Sequence, residues 1–197
     1  NAFNQVHLEI SETLSDDKYK NKPLFITGHS LGGALATVAT KKLTHTGGIA
    51  ACYTFGSPRV GDVVWTTNIK TPIYRLVNAA DPVTMLPPGV EMIGAFAWLF
   101  GLIPHFGKTI KNFLLSKFNG YLHTGDMRYL TNCKAGGYSD VKLLYAVSWW
   151  FRIKAFLKKK TSFLKIPADH SITVYRNKLK VIANNMNDKT KNTYMGC

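Results

Sequence analysis

The chain has 197 residues, 46% of them hydrophobic, at a mean hydropathy of −0.05, which suits one globular domain with a sizeable core and excludes two ordinary ones. Its net charge is +14, and +9 of that lies from Trp150 onward, where eleven Lys or Arg residues face only Asp169 and Asp188. A surface this basic suits nucleic acid, anionic lipid or solubility, and with no nucleic-acid-binding module in the sequence, lipid and solubility remain.

The three cysteines, Cys52, Cys133 and Cys197, form no Cys-x-x-Cys pair and have no histidine at zinc-ligand spacing, so neither a metal nor a cofactor is expected. They do not fix the redox compartment. No signal peptide is visible at the start, which reads as the middle of a helix, and the compartment stays open. The first residues are expected to be preceded by further chain.

In chain order, Phe3, Val6, Ile10 and Leu14 recur at spacings of three and four and predict an amphipathic helix over 1–14. A charged loop, 16–23, leads into the apolar strand Leu24-Phe25-Ile26. Next comes Thr27-Gly28-His29-Ser30-Leu31-Gly32-Gly33-Ala34, a Gly-x-Ser-x-Gly pattern between a strand and a helix that runs to about Leu43. Such a turn holds a serine hydroxyl clear of the backbone above a helix N-terminus, whose free N–H groups suit an oxyanion. Gly28 and Gly32 are expected to be glycine because side chains there would collide where strand and helix approach. The competing reading of Ser30 is a helix cap in a glycine-rich turn.

The run Ile49 to Phe55 predicts a second strand leading into Gly56-Ser57-Pro58-Arg59-Val60-Gly61-Asp62. Residues 63–69 read as a short helix, and 72–77 as a third strand ending at Asn78-Ala79-Ala80-Asp81-Pro82. Strand, helix, strand, helix, strand implies a parallel sheet with crossovers, whose reactive groups gather outside the carboxyl ends of the strands. Ser30 and Asp81 both fall there.

Three motifs now stand in order: Gly28 to Ala34, Thr54 to Asp62, and Arg75 to Val83 with Leu86-Pro87. Together they resemble the class 3, fungal-type lipases of the α/β-hydrolase fold. The resemblance covers roughly residues 1–88 and resumes near Tyr121 and Asp169. It implies an α/β fold with a mostly parallel central sheet flanked by helices, and further N-terminal strands before Asn1. It also implies a triad in the order Ser, Asp, His: Ser30 as nucleophile and Asp81 as acid. For the base, His7, His29 and His45 precede Asp81 and break that order, and His105 lies in an apolar insertion. Between His123 and His170, the Asp169-His170-Ser171-Ile172 run before a helical stretch resembles the family's histidine motif. The segment Tyr121 to Gly125 resembles one that leads a strand, with His123 a hydrogen-bonded structural residue. The Leu31 backbone N–H is the expected oxyanion donor, within an elbow made by Gly28, His29 and Gly32. The family's second donor comes from a loop after an earlier strand, which the resemblance places before Asn1. Asp62 is expected to be a structural acid in its turn, and Asp169 is too close to His170 in sequence to serve its ring.

Two insertions, 89–118 and 138–165, complete the single domain expected over 1–197. Met92 to Gly107 carries no charged residue but is broken by Pro104 and glycines, and is too short to span a bilayer. The second is expected to be helical from a cap at Ser139 or Asp140, through Leu143, Leu144, Val147, Trp149, Trp150 and Phe151, to Arg152, Lys154 and Lys158-Lys159-Lys160. Aromatics beside cations suit an anionic membrane surface, against the alternative of ordinary helical core. Residues 184–197 read as a polar tail.

The sequence thus points to a serine hydrolase that cleaves carboxylic esters of lipids, such as acylglycerols or phospholipid acyl chains. Two rivals stand beside it. One is a non-catalytic, membrane-associated lipid-binding protein with an incomplete oxyanion site, and the other is a lipid acyltransferase.

Overall fold

The computed structural model describes residues 2–79, 81–89, 93, 106–118, 120–134, 137–158 and 166–194. Helix α1 spans Ala2–Ser15, strand β1 Leu24–His29, helix α2 Leu31–Lys42, strand β2 Ile49–Phe55, helix α3 Val63–Thr66 and strand β3 Ile73–Asn78. After a 3₁₀ turn at Val83–Met85 come helix α4 (Phe106–Phe118), strand β4 (Asp126–Leu130) and strand β5 (Leu143–Tyr145). Helices α5 (Trp149–Lys158), α6 (Ile166–Asp169) and α7 (Ile172–Tyr194) close the chain. The five strands form one sheet in the order β1-β2-β3-β4-β5. The first four are parallel, and β5 runs antiparallel to β4.

The alternation of strand side chains sorts the core into two faces. On one, Leu24 and Ile26 of β1 pack with Phe3 of α1, Ala39 of α2 and Leu43 just past its end, while Val77 and Tyr129 pack with Ala155 of α5. On the other, Leu76 and Leu130 pack with Tyr175 and Leu179 of α7. This layering puts the carboxyl ends of β1, β2 and β3 side by side, and each runs directly into one of the three sequence motifs. Ser30 N–H donates to the Phe55 carbonyl at 2.9 Å, and Gly56 N–H to the Leu76 carbonyl at 3.0 Å. The ladder therefore continues into the motifs and fixes their relative heights.

Three expectations change. The helix expected from Ser139 or Asp140 is not there: Leu143–Tyr145 is the edge strand, and α5 begins at Trp149. Its cap is Ser148, whose Oγ accepts from the Phe151 N–H at 3.2 Å, and the left-handed Ala146 (φ 51°) breaks the chain before it. Arg152, expected in the outward cation cluster, is turned inward and is 6% exposed, because Thr84 offers it a buried acceptor. The expected tail from residue 184 is instead helical to Tyr194; no glycine or proline interrupts 168–195. Of the apolar stretch 92–107, all but Ile93, Phe106 and Gly107 lies outside the described residues, as do Lys159, Lys160, Cys197 and His105. Among the described residues no helix is long and apolar enough to cross a membrane.

Candidate active site

Ser30 sits between β1 and α2 with φ 57° and ψ −130°, a backbone conformation that non-glycine residues adopt only where the surroundings impose it. The glycine at 28 makes that turn feasible: a Cβ there would lie 2.1 Å from the Gly32 carbonyl oxygen. Gly32 behaves differently from the sequence expectation, since a Cβ on it would meet nothing within 4 Å. The close approach is made by its backbone carbonyl, and its own hydrogens face open space. Gly33 is the second crowded position, where a Cβ would lie 2.8 Å from Ser57 Cβ. As the first residue of α2, Leu31 has an N–H with no intrahelical acceptor. The Ser30 side chain makes no capping bond, so the cap reading fails and its hydroxyl is committed elsewhere.

That commitment is to His170, whose Nε2 lies 2.7 Å from Ser30 Oγ. On the other side of the ring, Nδ1 lies 3.0 and 2.9 Å from Asp81 Oδ1 and Oδ2. Residues separated by up to 140 positions thus form one hydrogen-bonded line, with the Asp81 side chain fully buried and that of His170 19% exposed. An imidazole held this way carries its proton on Nδ1 and presents Nε2 as an acceptor to the hydroxyl. A hydroxyl so placed can lose its proton to the ring while attacking a carbonyl carbon, with the buried carboxylate stabilising the resulting imidazolium. Among the described residues no cluster of His, Cys, Asp or Glu could hold a metal.

Among the described residues, the histidines and acids that the sequence set beside the triad are occupied otherwise. His123 Nε2 lies 2.8 Å from the Thr84 carbonyl, and burial together with the nearby Arg75 and Arg59 guanidinium groups holds its pKa well below 6.5. It is a neutral ring that donates to the turn after Asp81. His45 bonds the Lys22 carbonyl at 2.7 Å. Asp62 caps α3, accepting from the Trp65 N–H at 2.7 Å, and the Asp169 carbonyl accepts from Asn78 Nδ2 at 2.8 Å.

The roles of three supporting residues escape a reading of the sequence. Tyr175, fully buried on the first turn of α7, donates its hydroxyl to Asp81 Oδ2 at 2.6 Å and accepts from the Asn78 N–H at 3.0 Å. Burial and the adjacent Asp81 raise its pKa well above 10, so the hydroxyl keeps its proton. His29, inside the elbow, bonds the His170 carbonyl through Nε2 at 2.7 Å, and the two rings lie 4.7 Å apart between centroids. Gly56 has φ +61°, and a Cβ on it would lie 2.7 Å from Asp81 Oδ2 and 3.1 Å from the His170 ring. The signal for Gly56 is visible as a glycine at a strand end. Those for Tyr175 and His29 exist only once β1, β3 and α7 are brought together.

Residues 1–91 match the family described as Lipase (class 3). The chain is 41% identical over 109 residues to a secreted mono- and diacylglycerol lipase of Fusarium solani, which spans 51% of this chain and 32% of that protein. It is 38% identical over 90 residues to a chloroplastic phospholipase A(1) of Arabidopsis thaliana, spanning 42% of this chain and 20% of that one. In structure it resembles the triacylglyceride lipase of Rhizomucor miehei, with a TM-score of 0.52 at 24% identity, covering 85% of this chain and 54% of that one. The chain therefore spans about a third or less of the length of those two sequence relatives. The elbow, the Gly56 turn and Asp81 all fall within residues 1–91, the span that matches the class 3 lipase family, and the chain has the α/β-hydrolase fold.

Proposed function

We propose that this chain carries a serine hydrolase centre that cleaves carboxylic ester bonds of lipids, either acylglycerols or phospholipid acyl chains. The observation that carries this reading is the unbroken line Asp81–His170–Ser30. Ser30 Oγ attacks the ester carbonyl carbon as its proton passes to His170 Nε2, and Asp81 holds the ring that becomes cationic. The oxyanion of the tetrahedral intermediate takes the Leu31 N–H. His170 returns its proton to the leaving alkoxide, which departs as an alcohol and leaves an acyl-serine. Water then attacks the acyl carbon with His170 again as base, releasing the fatty acid and restoring the hydroxyl. The lipid nature of the substrate is supported by the relatives, a mono- and diacylglycerol lipase and a phospholipase A(1).

The test is covalent labelling of Ser30 by a fluorophosphonate together with turnover of a p-nitrophenyl ester, with circular dichroism as a check on folding. Wild type should label and turn over, and Ser30→Ala should do neither while keeping its spectrum. Turnover by Ser30→Ala above a few per cent of wild type overturns the nucleophile assignment. A folded wild type that neither labels nor hydrolyses favours the lipid-binding rival.

A peripheral contact with anionic membrane fits the outer side of α5. Trp150 and Leu157 are 65% and 72% exposed and Phe151 is 46% exposed, with the exposed Lys154 on the same helix. Exposed aromatics next to cations suit the headgroup region of a bilayer.

A further inference from the structure

Asp81 is held by more than its own strand. Its Oδ1 accepts from the Val83 N–H at 2.9 Å, and its carbonyl accepts from the Thr84 hydroxyl at 2.9 Å. Thr84 is fully buried, and its Oγ1 in turn accepts from Arg152 Nη2 at 2.6 Å, with the Thr84 carbonyl 3.4 Å from the same nitrogen. Two further donors hold this turn from outside: His123 on the Thr84 carbonyl, and Arg59 on the carbonyls of Met85 and Pro87. Arg152 differs from both, because its bond reaches the hydroxyl that itself bonds the Asp81 backbone.

We infer that Arg152 of α5 is a positioning residue for the triad, acting through Thr84 to hold Asp81 where it meets His170. The inference rests on the esterase reading above only for its kinetic readout. A long cation is rarely buried without a strong reason. Burial opposes the charge on this guanidinium, and the nearby Tyr129, Tyr175 and Asp81 support it. The guanidinium is anchored on one side by the packing of α5, where Ala155 lies against Val77 and Tyr129. On the other side it fixes the Thr84 rotamer so that the hydroxyl hydrogen must point at the Asp81 carbonyl. Helix α5, which lies outside the matched residues 1–91, is on this account part of the frame of the site rather than a removable cover.

The variants are Arg152→Met, which keeps the stem and removes the donors; Arg152→Lys, which keeps a donor; Thr84→Val, which keeps shape and removes the hydroxyl; and the Arg152→Met/Thr84→Val pair. Misplacing a reacting group by an ångström costs on the order of 100-fold in rate. Arg152→Met should therefore lower kcat on a soluble p-nitrophenyl ester about 10- to 100-fold with little change in KM. Thr84→Val should match it, the pair should be no worse than either single variant, and Arg152→Lys should recover part of the loss. The downfield proton resonance of His170 Nδ1 supplies a readout independent of turnover, and should move or broaden in Arg152→Met and return in Arg152→Lys. An unchanged resonance in folded Arg152→Met overturns the inference, as does a kcat within twofold of wild type or losses that multiply in the pair. If wild type lacks esterase activity, the hydrolase reading fails while the resonance still decides the role of Arg152.

Discussion

The Tyr175 hydroxyl donates to Asp81 Oδ2 at 2.6 Å, alongside the His170 ring that meets the same carboxylate at 2.9 Å. A fully buried carboxylate with acceptor sites to fill is costly. Tyr175 and the Val83 N–H fill those that His170 leaves. Because Tyr175 follows His170 by only five residues, on the first turn of α7, the turn that supplies the base leads straight into the helix that supplies the residue orienting the acid toward it.

Tyr175→Phe is accordingly expected to weaken catalysis without abolishing it. A hydrogen bond to a charged group contributes about 1.5–3 kcal/mol, which corresponds to roughly 10- to 100-fold in kcat/KM if it is felt fully in the transition state. The Asn78 N–H also loses its acceptor, and leaving it unsatisfied costs about 1–3 kcal/mol of stability. Ester turnover and the urea midpoint, measured on the same preparation, check both effects. Unchanged turnover would mean that Asp81 is oriented without Tyr175.

Gly56→Ala tests the packing of the same pair from the second strand. A left-handed φ costs a residue with a Cβ roughly 1–2 kcal/mol, and here the Cβ would also press on Asp81 Oδ2 at 2.7 Å. Both stability and turnover should fall, and activity by more than the lost stability accounts for, because the carboxylate is what must move. Gly32→Ala is the contrast: with nothing within 4 Å of its Cβ, its thermal midpoint should stay within a few degrees of wild type.

His123 gives the fold a pH dependence of definite sign. Its ring is neutral in the folded chain because burial and then Arg75 and Arg59 disfavour a further charge, whereas an unfolded histidine protonates near pH 6.5. A depressed pKa contributes stability that is fully present above about 6.5 and is lost as the pH falls below it, at up to about 1.4 kcal/mol per pH unit. Urea midpoints at pH 7.5 and 5.0 should show that loss. His123→Gln, whose amide can still donate to the Thr84 carbonyl but takes up no proton, should show a smaller one. Equal slopes in the two proteins would assign the acid sensitivity elsewhere.

What was legible in the sequence follows from which contacts are local. Strands β1, β2 and β3 are largely apolar runs, and runs such as Ile49 to Phe55 announce themselves by composition. The sharp turn at Ser30 is signalled by its own glycines. Strand β4 reads Asp-Met-Arg-Tyr-Leu, with its two charged residues at the sheet's amino-terminal edge, and β5 has only three residues, so neither stands out. Leu143 and Leu144 carry an apolar pattern that fits a helix as well as a strand. The choice is made by pairing of Leu143 and Leu144 with Leu130 and Tyr129, which no window of sequence contains. Arg152 failed for a similar reason, since its neighbours Lys154 and Lys158 describe an outward cationic face. Only the position of Thr84, 68 residues away, turns the guanidinium inward.

The inward turn of Arg152 also changes what the outer face of α5 should do at a membrane. The exposed Lys154 lies on the same helix as the exposed Trp150, Phe151 and Leu157, and the cationic run Lys158-Lys159-Lys160 follows in sequence. Each cation close to an anionic surface contributes about 1 kcal/mol, screened within a Debye length. Co-sedimentation with vesicles should therefore rise with anionic lipid content and fall with salt. Changing Lys158, Lys159 and Lys160 together to Glu should weaken it strongly, and Trp150→Ala should weaken binding to neutral and anionic vesicles alike, because the indole contributes through apolar contact. Both variants should slow hydrolysis of lipid aggregates yet leave turnover of a short soluble ester close to wild type, since a soluble ester needs no lipid surface to reach Ser30. If α5 only covers the sheet and its cations only solvate it, binding will be equal on neutral and anionic vesicles at low salt, and that result removes the membrane contact.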